Sequence, residues 1–500
     1  MVAAAVILAA GQSTRMRSRT PKPAHHVAGR PMVAHVLAAA ASALRPHHAA
    51  SPLATSGAGD AEDHSSHIVL VLGHESARVL DALKPFPDLP PFQVAEQRAQ
   101  RGTADAVLAA RPPLADAATD TILVLYGDTP LVRAETLTAL LAAHAQVGGV
   151  ALLTGETSDP TGYGRVTRDA AGRVTGIVEE RHATAEQRRI REVNSGVYCF
   201  EAAWLWGRLP TLRPHENGEL YLTDLVDLAV EEGLPVSTQR APISETAGVN
   251  DRVQLAEAEA HLRRRILEGL MRAGVTIVDP ATTFIEPSVT IGMDTIIQPF
   301  TTLRGMTAIG ENCEIGPHSV VRDSTIGDGC VVLGSWLEEA TLAAGARVGP
   351  MSHLRPGARL EAEANVGNFA EVKNAMIGER VQMHHFSYAG DAAIGAGTNV
   401  GAGMITCNYD GVRKHHTEVG KGVFLGSDSL LIAPVTIGDG ARTGAGAVVR
   451  RDVPPGGVAV GMPARVIRHS TTDPAAHSPE GATMDGATKN QGVKEKERDG

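Results

Sequence analysis

The sequence predicts an α/β protein with a Rossmann-like N-terminal domain followed by a parallel β-helix. In the first 250 residues, apolar strand-like runs alternate with helical stretches, which is typical of a parallel sheet covered by helices. After residue 274, aliphatic residues recur every six positions, the period of a parallel β-helix. Glycine accounts for 53 of the 500 residues, more than the roughly 7% of an average protein, as expected where a fold needs many tight turns.

Composition and charge exclude several classes of protein. Hydrophobic residues make up 43% and charged residues 20% of the chain, which is typical of a globular protein and excludes a wholly disordered one. The net charge of -10 opposes binding to nucleic acid or anionic lipid, and the 3% of aromatic residues offers few platforms for base stacking. No run reaches the roughly 18 apolar residues of a membrane span. We therefore expect neither a nucleic-acid partner nor membrane insertion.

The opening run MVAAAVILAAGQSTRM is interpreted as a first strand and not as a signal peptide, because no basic segment precedes it and a polar glycine-containing loop follows. The four cysteines form no CxxC pair, which disfavours a thiolate metal site and a disulfide framework. A reducing cytoplasm is the simplest compartment for such a chain.

The apolar runs of the N-terminal half are assigned to strands and its alanine-rich runs to helices. Strand candidates are VAAAVILAAG, HIVLVLG, DTILVLYGD and ALLT, and helix candidates are PMVAHVLAAAASAL and AETLTALLAAHAQ. We expect a first domain over 1–250 with a low-complexity insertion at 45–66, a linker helix over 251–273, a β-helix over 274–469 and a disordered tail over 470–500.

The six-residue period covers most of the second half, with interruptions. It predicts inward-facing aliphatic side chains at regular places in successive short strands. These are Ile291, Ile297, Leu303, Ile309, Ile315 and Val321, then Leu342, Val348, Leu354, Leu360, Val366 and Val372, and finally Val419, Leu425, Leu431 and Ile437.

A first chemical site is predicted where the opening strand ends. Gly11 follows that strand, and a small-residue loop leading into a helix exposes backbone N–H groups that can hold phosphate. Arg15 and Lys22 would add positive charge there. Asp128 follows another strand and suits Mg²⁺, which prefers oxygen ligands and substrate phosphates. An ordinary strand-helix turn at Gly11, and a helix N-cap at Asp128, are the alternatives.

The string LAAGQSTRM with the later PKP resembles the LAxGxGTRM…PK signature of sugar nucleotidyltransferases. That resemblance implies uracil contacts in the segment QRAQRGT, sugar contacts in DPTGYGR and NSG, and a second metal ligand in GVNDR. The implied nucleotide-binding residues are Leu8, Ala9, Ala10, Gly11, Lys22, Gln97, Gln100, Gly102, Thr103, Tyr126, Gly127, Asp128, Gly164, Glu179, Asn194 and Asn250. Asp128 and Asn250 are the implied metal ligands, and Arg15 and Lys22 would stabilise the leaving pyrophosphate.

Polar clusters interrupt the six-residue pattern and predict a second site: LRPG with NFAEVK, HHFSY, and TCNYDG with Lys414 beyond it. Together with the N-terminal half, over roughly residues 3–465, they resemble the bifunctional N-acetylglucosamine-1-phosphate uridylyltransferase and glucosamine-1-phosphate acetyltransferase family. The resemblance implies a left-handed β-helix, a cytoplasmic homotrimer, and UTP, acetyl-CoA and Mg²⁺ as substrates and cofactor.

The same resemblance assigns roles in acetyl transfer. His385 would be the general base, with His384 as a competing candidate and Glu371 as its orienter. The implied ligands of glucosamine 1-phosphate and acetyl-CoA are Arg355, Lys373, Tyr388, Asn399, Ala402, Asn408, Tyr409, Ser427 and Ala445. The chain has Met462 where the family often has an arginine, so Arg465 or Arg468 would have to contact coenzyme A. The alternative is a nucleotidyltransferase with a single activity, whose β-helix is structural or regulatory.

Overall fold

A computed structural model describes residues 2–11, 15–45, 67–115 and 119–468, without the side chain of Arg468. The predicted insertion at 45–66, apart from Arg45, and the predicted tail over 470–500 lie outside these residues. The chain forms two compact units. The first comprises Met1–Val289 and Thr302–Gly305, and the second comprises Thr290–Thr301 and Met306–Gly500.

The first unit is built on a nine-stranded sheet whose main path runs β11-β7-β10-β6-β1-β4-β5, with β8 and β9 attached at β10. Its strands are β1 Ala3–Leu8, β4 Ile68–Leu72, β5 Gln93–Glu96, β6 Thr121–Tyr126, β7 Val150–Glu156, β8 Arg165–Arg168, β9 Val174–Val178, β10 Glu192–Glu201 and β11 Val236–Arg240. A separate pair, β2 His26–Val27 and β3 Arg30–Pro31, and the short strands β12 Thr276–Ile277, β13 Phe284–Ile285 and β16 Thr302–Arg304 also belong to this unit.

The sheet is mixed, whereas the sequence predicted a parallel one. β1 runs parallel to β4 and β6, but β10 runs antiparallel to both β6 and β7. The segment between β7 and β10 holds the β8–β9 hairpin and two three-residue 3₁₀ helices. A parallel return needs a crossover, usually a full helix, so the chain comes back antiparallel here.

Helices cover both faces of this sheet and complete two apolar layers. They are α1 Met32–Leu44, α2 Ser76–Leu83, α3 Thr103–Ala109, α4 Ala134–Val147, α5 Ala202–Arg208, α6 Asp224–Glu231, α7 Ile243–Thr246 and α8 Arg252–Arg272. Alternate side chains of β1 enter opposite layers, Val6 one and Ile7 the other, because successive residues of a strand point to opposite faces. α8 is the helix predicted over 251–273, and the Asp251 carboxylate caps it by accepting from the Gln254 N–H at 2.9 Å.

The second unit is a left-handed parallel β-helix of hexapeptide repeats, made of three sheets of very short strands. One sheet contains β14 Thr290–Ile291, β17 Ala308–Ile309, β20 Thr325–Ile326, β23 Thr341–Leu342, β26 Arg359–Leu360, β29 Met376–Ile377, β32 Ala392–Ile394, β35 Thr417–Val419 and β38 Val435–Ile437. A second contains β19 Val320–Arg322, β22 Trp336–Glu338, β25 His353–Leu354, β28 Glu371–Lys373, β31 Tyr388–Gly390, β34 Ile405–Cys407, β37 Leu430–Ile432 and β40 Val448–Val449.

The third sheet ends with a reversal of chain direction. It contains β15 Ile296–Ile297, β18 Glu314–Ile315, β21 Val331–Val332, β24 Arg347–Val348, β27 Asn365–Val366, β30 Gln382–Met383, β33 Asn399–Val400, β36 Phe424–Leu425, β39 Arg442–Thr443, β41 Val458–Val460 and β42 Arg465–Arg468. All its pairs are parallel except the last, in which β42 runs antiparallel to β41.

Four of the predicted inward positions stack in one column together with Val332, which lies where the six-residue pattern slips and was not predicted. Ile297 pairs in register with Ile315, Ile315 with Val332, Val332 with Val348 and Val348 with Val366, and all five side chains are buried. Complete burial of such an aliphatic side chain stabilises a fold by about 1.5–3 kcal/mol. The repeat therefore supplies the β-helix with a continuous apolar column, as the period predicted.

Within the described residues, no helix combines the length and apolar character that crossing a membrane requires.

Candidate functional sites

The carboxyl ends of β1, β4 and β6 form the floor of the first site. The Ala9 N–H donates to the Val71 carbonyl at 2.8 Å and the Gly127 N–H to the Leu8 carbonyl at 2.8 Å, so the loops leave the strands side by side. A Cβ on Gly127 would lie 3.0 Å from the Cβ of Ala9. Gly127 therefore permits a close approach that a larger residue would disturb. Residues 12–14 of the predicted phosphate loop lie outside the described residues.

Both predicted metal ligands of the first site contact one ammonium group. Lys22 Nζ donates to Asp128 Oδ2 and, at 2.8 Å, to Asn250 Oδ1, while Arg15 Nη2 donates to the same amide oxygen at 3.0 Å. The Val249 N–H donates to the Asp128 carbonyl at 2.9 Å, which ties the two ligand-bearing segments together. Four residues predicted from distant parts of the sequence thus converge on one point.

The alternative role of Asp128 as a helix N-cap is wrong. α4 begins at Ala134, its N-cap position is Arg133, and no side chain caps it. The Asp128 carboxylate is instead directed to Lys22.

A cavity of about 410 Å³ opens beside this charged centre. Of the predicted nucleotide-binding residues, its lining includes Leu8, Ala9, Ala10, Gly11, Lys22, Gln97, Gln100, Gly102, Thr103, Tyr126 and Asp128. Gln100 Nε2 donates to the Ala10 carbonyl at 2.7 Å and so holds the segment predicted to read uracil against the phosphate loop. Burial, and then the charge of Asp128, raise the pKa of the Tyr126 phenol, which keeps it neutral.

The predicted sugar-binding residues contact one another in a separate group. The Asn194 N–H donates to the Gly164 carbonyl at 2.9 Å, and a Cβ on Gly164 would lie 3.6 Å from Glu179 Oε1. None of these three residues is among the described residues that line the cavity.

Four described lining residues were not assigned to the site from the sequence, namely Pro23, Ala106, Glu219 and Tyr221. Glu219 and Tyr221 enter the cavity from the segment after α5. Asn217 Nδ2 donates to Glu219 Oε2 at 2.9 Å and to the Tyr221 hydroxyl at 2.6 Å, and the guanidinium of Arg181 lies 4.8 Å from the Tyr221 ring centroid. The signal that could have found Glu219 and Tyr221 is the run NGELYLTD, which places an aromatic residue in an otherwise polar loop.

The second site lies on the outer surface of the β-helix, where paired positions in adjacent strands carry polar side chains. His353, Glu371 and Tyr388 occupy paired positions of β25, β28 and β31. Arg355 Nη1 donates to Glu371 Oε1 at 2.7 Å, and this bond raises the pKa of the Arg355 guanidinium. The carboxylate of Glu371, expected to orient His385, is thus engaged with Arg355.

Three cations crowd together at this surface. Contact with Lys414, followed by the charge repulsion between the two ammonium groups, lowers the pKa of Lys373, and Arg355 acts in the same direction. Lys414 received no role from the sequence, although it follows the third polar cluster. Crowded like charges of this kind attract an anion, since an anion relieves their repulsion.

Asp391 compensates part of this charge and also escaped the sequence analysis. Its carboxylate accepts hydrogen bonds from Asn374 Nδ2, at 2.7 Å, and from Asn408 Nδ2. Burial acts to raise its pKa, but these bonds and the nearby charges of Lys414 and Lys373 hold the pKa below its usual value. Asp391 therefore stays ionised and fixes the amide of Asn408.

His384 and His385 are adjacent and exposed, with ring centroids 6.4 Å apart. The structure therefore leaves both imidazoles accessible. Tyr409 is 61% exposed, pairs with Lys414 in an isolated bridge and donates its hydroxyl to the Gly411 carbonyl at 2.6 Å.

The remaining predicted acetyl-CoA contacts lie at the turns of successive coils. The Asp428 N–H donates to the Ala402 carbonyl at 2.6 Å, and the Gly446 N–H donates to the Ser427 carbonyl at 2.8 Å. These bonds stack the turns that carry Ala402, Ser427 and Ala445, and Asn399, which was predicted to contact the sugar, lies in the adjoining strand β33. Met462 is 81% exposed, and the following Arg465 opens β42.

Family comparisons agree with the two-part organisation. The MobA-like NTP transferase domain family matches residues 5–192. The bacterial transferase hexapeptide family, of six repeats, matches 416–451, and the hexapeptide repeat of succinyl-transferase matches 306–333.

Relatives match along most of the chain. The chain is 45% identical to the bifunctional protein GlmU of Streptomyces avermitilis, over 92% of this chain and 91% of that protein. It is 46% identical to GlmU of Corynebacterium efficiens over 91% of each, and 42% identical to GlmU of Mycobacterium sp. strain KMS over 97% of this chain and 95% of the relative. The chain belongs to the GlmU family.

Membership confirms both activities that the sequence predicted. The GlmU chain is a bifunctional transferase of UDP-N-acetylglucosamine synthesis, with N-acetylglucosamine-1-phosphate uridylyltransferase and glucosamine-1-phosphate N-acetyltransferase activities. It is an enzyme that acts on small molecules.

Proposed function

We propose that the two activities reside in separate parts of the chain and that each uses the residues assigned from the sequence. Residues 1–250 would carry uridylyl transfer, 251–273 would be a linker helix, and 274–469 would carry acetyl transfer. The observation that carries the proposal is the convergence of Lys22 on Asp128 and Asn250 in one unit, beside the nucleotide cavity. A crowded cationic surface in the other unit supports a second, independent site.

Mg²⁺ fits the donor set of the first site. Asp128 and Asn250 offer a carboxylate and an amide oxygen to the same cationic group of Lys22, and oxygen donors are those that Mg²⁺ prefers. Within the described residues no group of three or more His, Cys, Asp or Glu side chains could hold a metal, so these two residues would share the ion with substrate phosphates. When bound, Mg²⁺ supplies charge neutralisation to the reacting phosphates.

Uridylyl transfer would proceed by direct displacement. A phosphate oxygen of N-acetylglucosamine 1-phosphate forms a bond to the α-phosphorus of UTP as the bond to the β-phosphate oxygen breaks, and pyrophosphate leaves. Arg15 and Lys22 bind the leaving pyrophosphate, since both are cationic and both donate to Asn250 Oδ1, the amide oxygen proposed to bind the metal. Such displacements are catalysed mainly by positioning and charge stabilisation.

The cavity would bind the nucleobase of the nucleotide sugar, and the separate group of predicted sugar-binding residues would bind its sugar. Gln97, Gly102 and Thr103 would hold the uracil, and Gly164, Glu179 and Asn194 would contact the sugar. Gln97 supports this division because it is a buried amide on the cavity wall, and amides can match the donors and acceptors of a pyrimidine edge.

Acetyl transfer would need a base, because the ammonium form of glucosamine 1-phosphate has no lone pair. His385 accepts one proton of the ammonium group, and the freed amine forms a bond to the thioester carbonyl carbon of acetyl-CoA. As the carbon–sulfur bond breaks, the amide nitrogen loses a second proton and the sulfur gains one, so coenzyme A leaves as the thiol. Imidazole titrates near neutrality, which suits this task. Arg355 and Lys373 hold the sugar phosphate, and Tyr388 and Asn399 contact the sugar. Asn408, Tyr409, Ser427 and Ala445 contact acetyl-CoA, and Ala402 belongs to the same combined binding surface.

The chain would work in the cytoplasm as a homotrimer. Flat β-helix faces favour side-by-side packing in closed symmetry. Exposed apolar side chains on the β-helix, among them Phe369 and Phe386, support burial against another copy.

Product release from the complete chain tests the proposal. The purified protein is incubated with Mg²⁺ and, separately, with glucosamine 1-phosphate plus acetyl-CoA or with N-acetylglucosamine 1-phosphate plus UTP. We expect free coenzyme A only in the first mixture and pyrophosphate only in the second. Pyrophosphate release that is indifferent to chelation of Mg²⁺ would contradict the metal assignment.

A further inference from the structure

Asp105 is a buried carboxylate beside the nucleotide cavity that has no part in the mechanism above. It lies in the first turn of α3, and its side chain is only 10% exposed. Oδ1 accepts from Arg101 Nη2 at 2.7 Å and from Arg101 Nε at 3.2 Å, whereas Oδ2 accepts from Gln97 Nε2 at 3.0 Å. Each carboxylate oxygen therefore has its own donor.

The contacts of Gln97 determine which way its amide faces. Gln97 Nε2 donates to Asp105 Oδ2 and, also at 3.0 Å, to the carbonyl of Gly102. Both partners are acceptors only, so they can be met by the NH₂ group and not by the amide oxygen. The two amide protons are consumed by these contacts, and Oε1 is the atom of the amide left to accept a hydrogen bond.

We infer that Asp105 is a positioning residue that makes Gln97 present an acceptor to the nucleobase and thereby selects uracil over cytosine. The inference rests on the proposed contact between Gln97 and the base. Uracil has an N–H donor at N3, which Oε1 of Gln97 can accept. Cytosine has an unprotonated acceptor at N3, which Oε1 would repel. A site whose buried polar group would be left unpaired discriminates strongly against the wrong substrate.

The variant Asp105→Asn reverses the polarity of this contact without a change in side-chain size. Arg101 donates two hydrogen bonds to one oxygen, so it would hold the Asn oxygen and turn the Asn NH₂ group toward Gln97. The Gln97 amide would then face an NH₂ donor at residue 105 and a carbonyl acceptor at Gly102. Neither orientation of the amide satisfies both neighbours, so Oε1 would no longer be held toward the base. The control is Arg101→Gln, which removes the ion pair but leaves the carboxylate to hold Gln97.

The measured quantity is kcat/KM for UTP and for CTP in pyrophosphate release, with acetyl transfer by the same preparation as a test of folding. In Asp105→Asn we expect kcat/KM for UTP, and the ratio of UTP to CTP, to fall by about 10- to 100-fold, the scale of a hydrogen bond to a charged group. Arg101→Gln should keep most of the wild-type ratio.

Two different results would overturn the inference. An unchanged ratio in Asp105→Asn, alongside a reduced ratio in Gln97→Ala, would show that Gln97 reads the base without help from Asp105. An unchanged ratio in Gln97→Ala, with wild-type pyrophosphate release from UTP, would show that the base contact itself is wrong. Failure of the wild-type enzyme to use UTP at all would instead refute the proposed function.

Discussion

The two sites handle the charge of a phosphorylated substrate differently. In the first, Lys22 is matched within the chain by Asp128 and Asn250, and the side chains of the Lys22–Asp128 pair are only 13% and 24% exposed. In the second, Arg355 and Glu371 are 41% and 39% exposed, and Lys373 and Lys414 repel one another. One site keeps its charges paired and partly buried before substrate binds, and the other holds excess positive charge at the surface.

This difference follows from the folds. Loops at the carboxyl ends of parallel strands meet over one sheet edge, so residues far apart in sequence, such as Lys22 and Asn250, can be packed together. A β-helix instead places side chains of adjacent coils in an external ladder, where solvent reaches them. Screening should therefore affect the second site more than the first.

The largest expected effect is loss of the base in the exposed site. His385→Ala should lower kcat of acetyl transfer by about 10²–10⁴-fold, the usual contribution of a general base. Coenzyme A release measures it, and uridylyl transfer by the same protein should be unchanged. His384→Ala is the matched variant, and a larger loss in that protein would transfer the base role to His384.

The next effect concerns the paired site. Asp128→Ala should lower uridylyl transfer by about 10²–10³-fold, because it removes charge positioned at the reacting phosphates, while acetyl transfer stays at its wild-type rate. Asp120→Ala is the control, since Asp120 lies just before β6 and Asp128 just after it. Equal losses of both activities in folded Asp128→Ala protein would contradict independent sites.

A smaller effect separates the sites by their response to salt. Lys373→Ala should raise KM for glucosamine 1-phosphate by about 10- to 100-fold through loss of a charge-assisted contact. In the wild type, added salt should raise this KM more steeply than KM for N-acetylglucosamine 1-phosphate. Lys421→Ala, on an exposed lysine elsewhere on the β-helix, should change neither. An equal dependence of the two KM values on salt concentration would contradict the proposed difference in charge exposure between the two sites.

The smallest effect is a shift in pH dependence. Lys373 is charged only below its pKa, and Lys414 lowers that pKa from the ordinary 10.5. Phosphate affinity at the second site should thus weaken at a lower alkaline pH than an isolated lysine would give. In Lys414→Gln the pKa of Lys373 rises, so the weakening should move to higher pH, as followed by KM for glucosamine 1-phosphate. A shift to lower pH would show that Lys414 stabilises the charge of Lys373.

The sequence predicted the repeat more completely than the sheet. Where the six-residue period holds, it specifies which residue of a short strand faces inward, and Ile297, Ile315, Val348 and Val366 agree with it. The antiparallel direction of β10 depends on the absence of a crossover helix after β7, and the strand pattern does not encode direction. Strand periodicity reports burial, whereas pairing direction depends on the connection.

Within the two sites, the sequence predicted the residues that belong to recognisable motifs. It did not predict the residues that hold those side chains in place through hydrogen bonds. Lys22, Asp128 and Asn250 stand in recognisable strings. Asp105 and Asp391 are single carboxylates whose significance comes from partners brought close by folding, Gln97 in one case and Asn408 in the other. The spacing of residues in the sequence does not predict such a contact, because the two partners meet only when the elements that carry them pack together.

The reversal at the end of the β-helix has a consequence for solubility. A stack of parallel coils ends in unpaired backbone groups, and such an edge invites the strand of another molecule to continue it. Here β42 covers β41 in the opposite direction and both begins and ends with arginine. The repeating pattern of parallel pairs is thereby interrupted in this sheet by the chain itself. In this sheet of the β-helix, the last parallel strand is therefore paired on its outer edge by the chain's own β42.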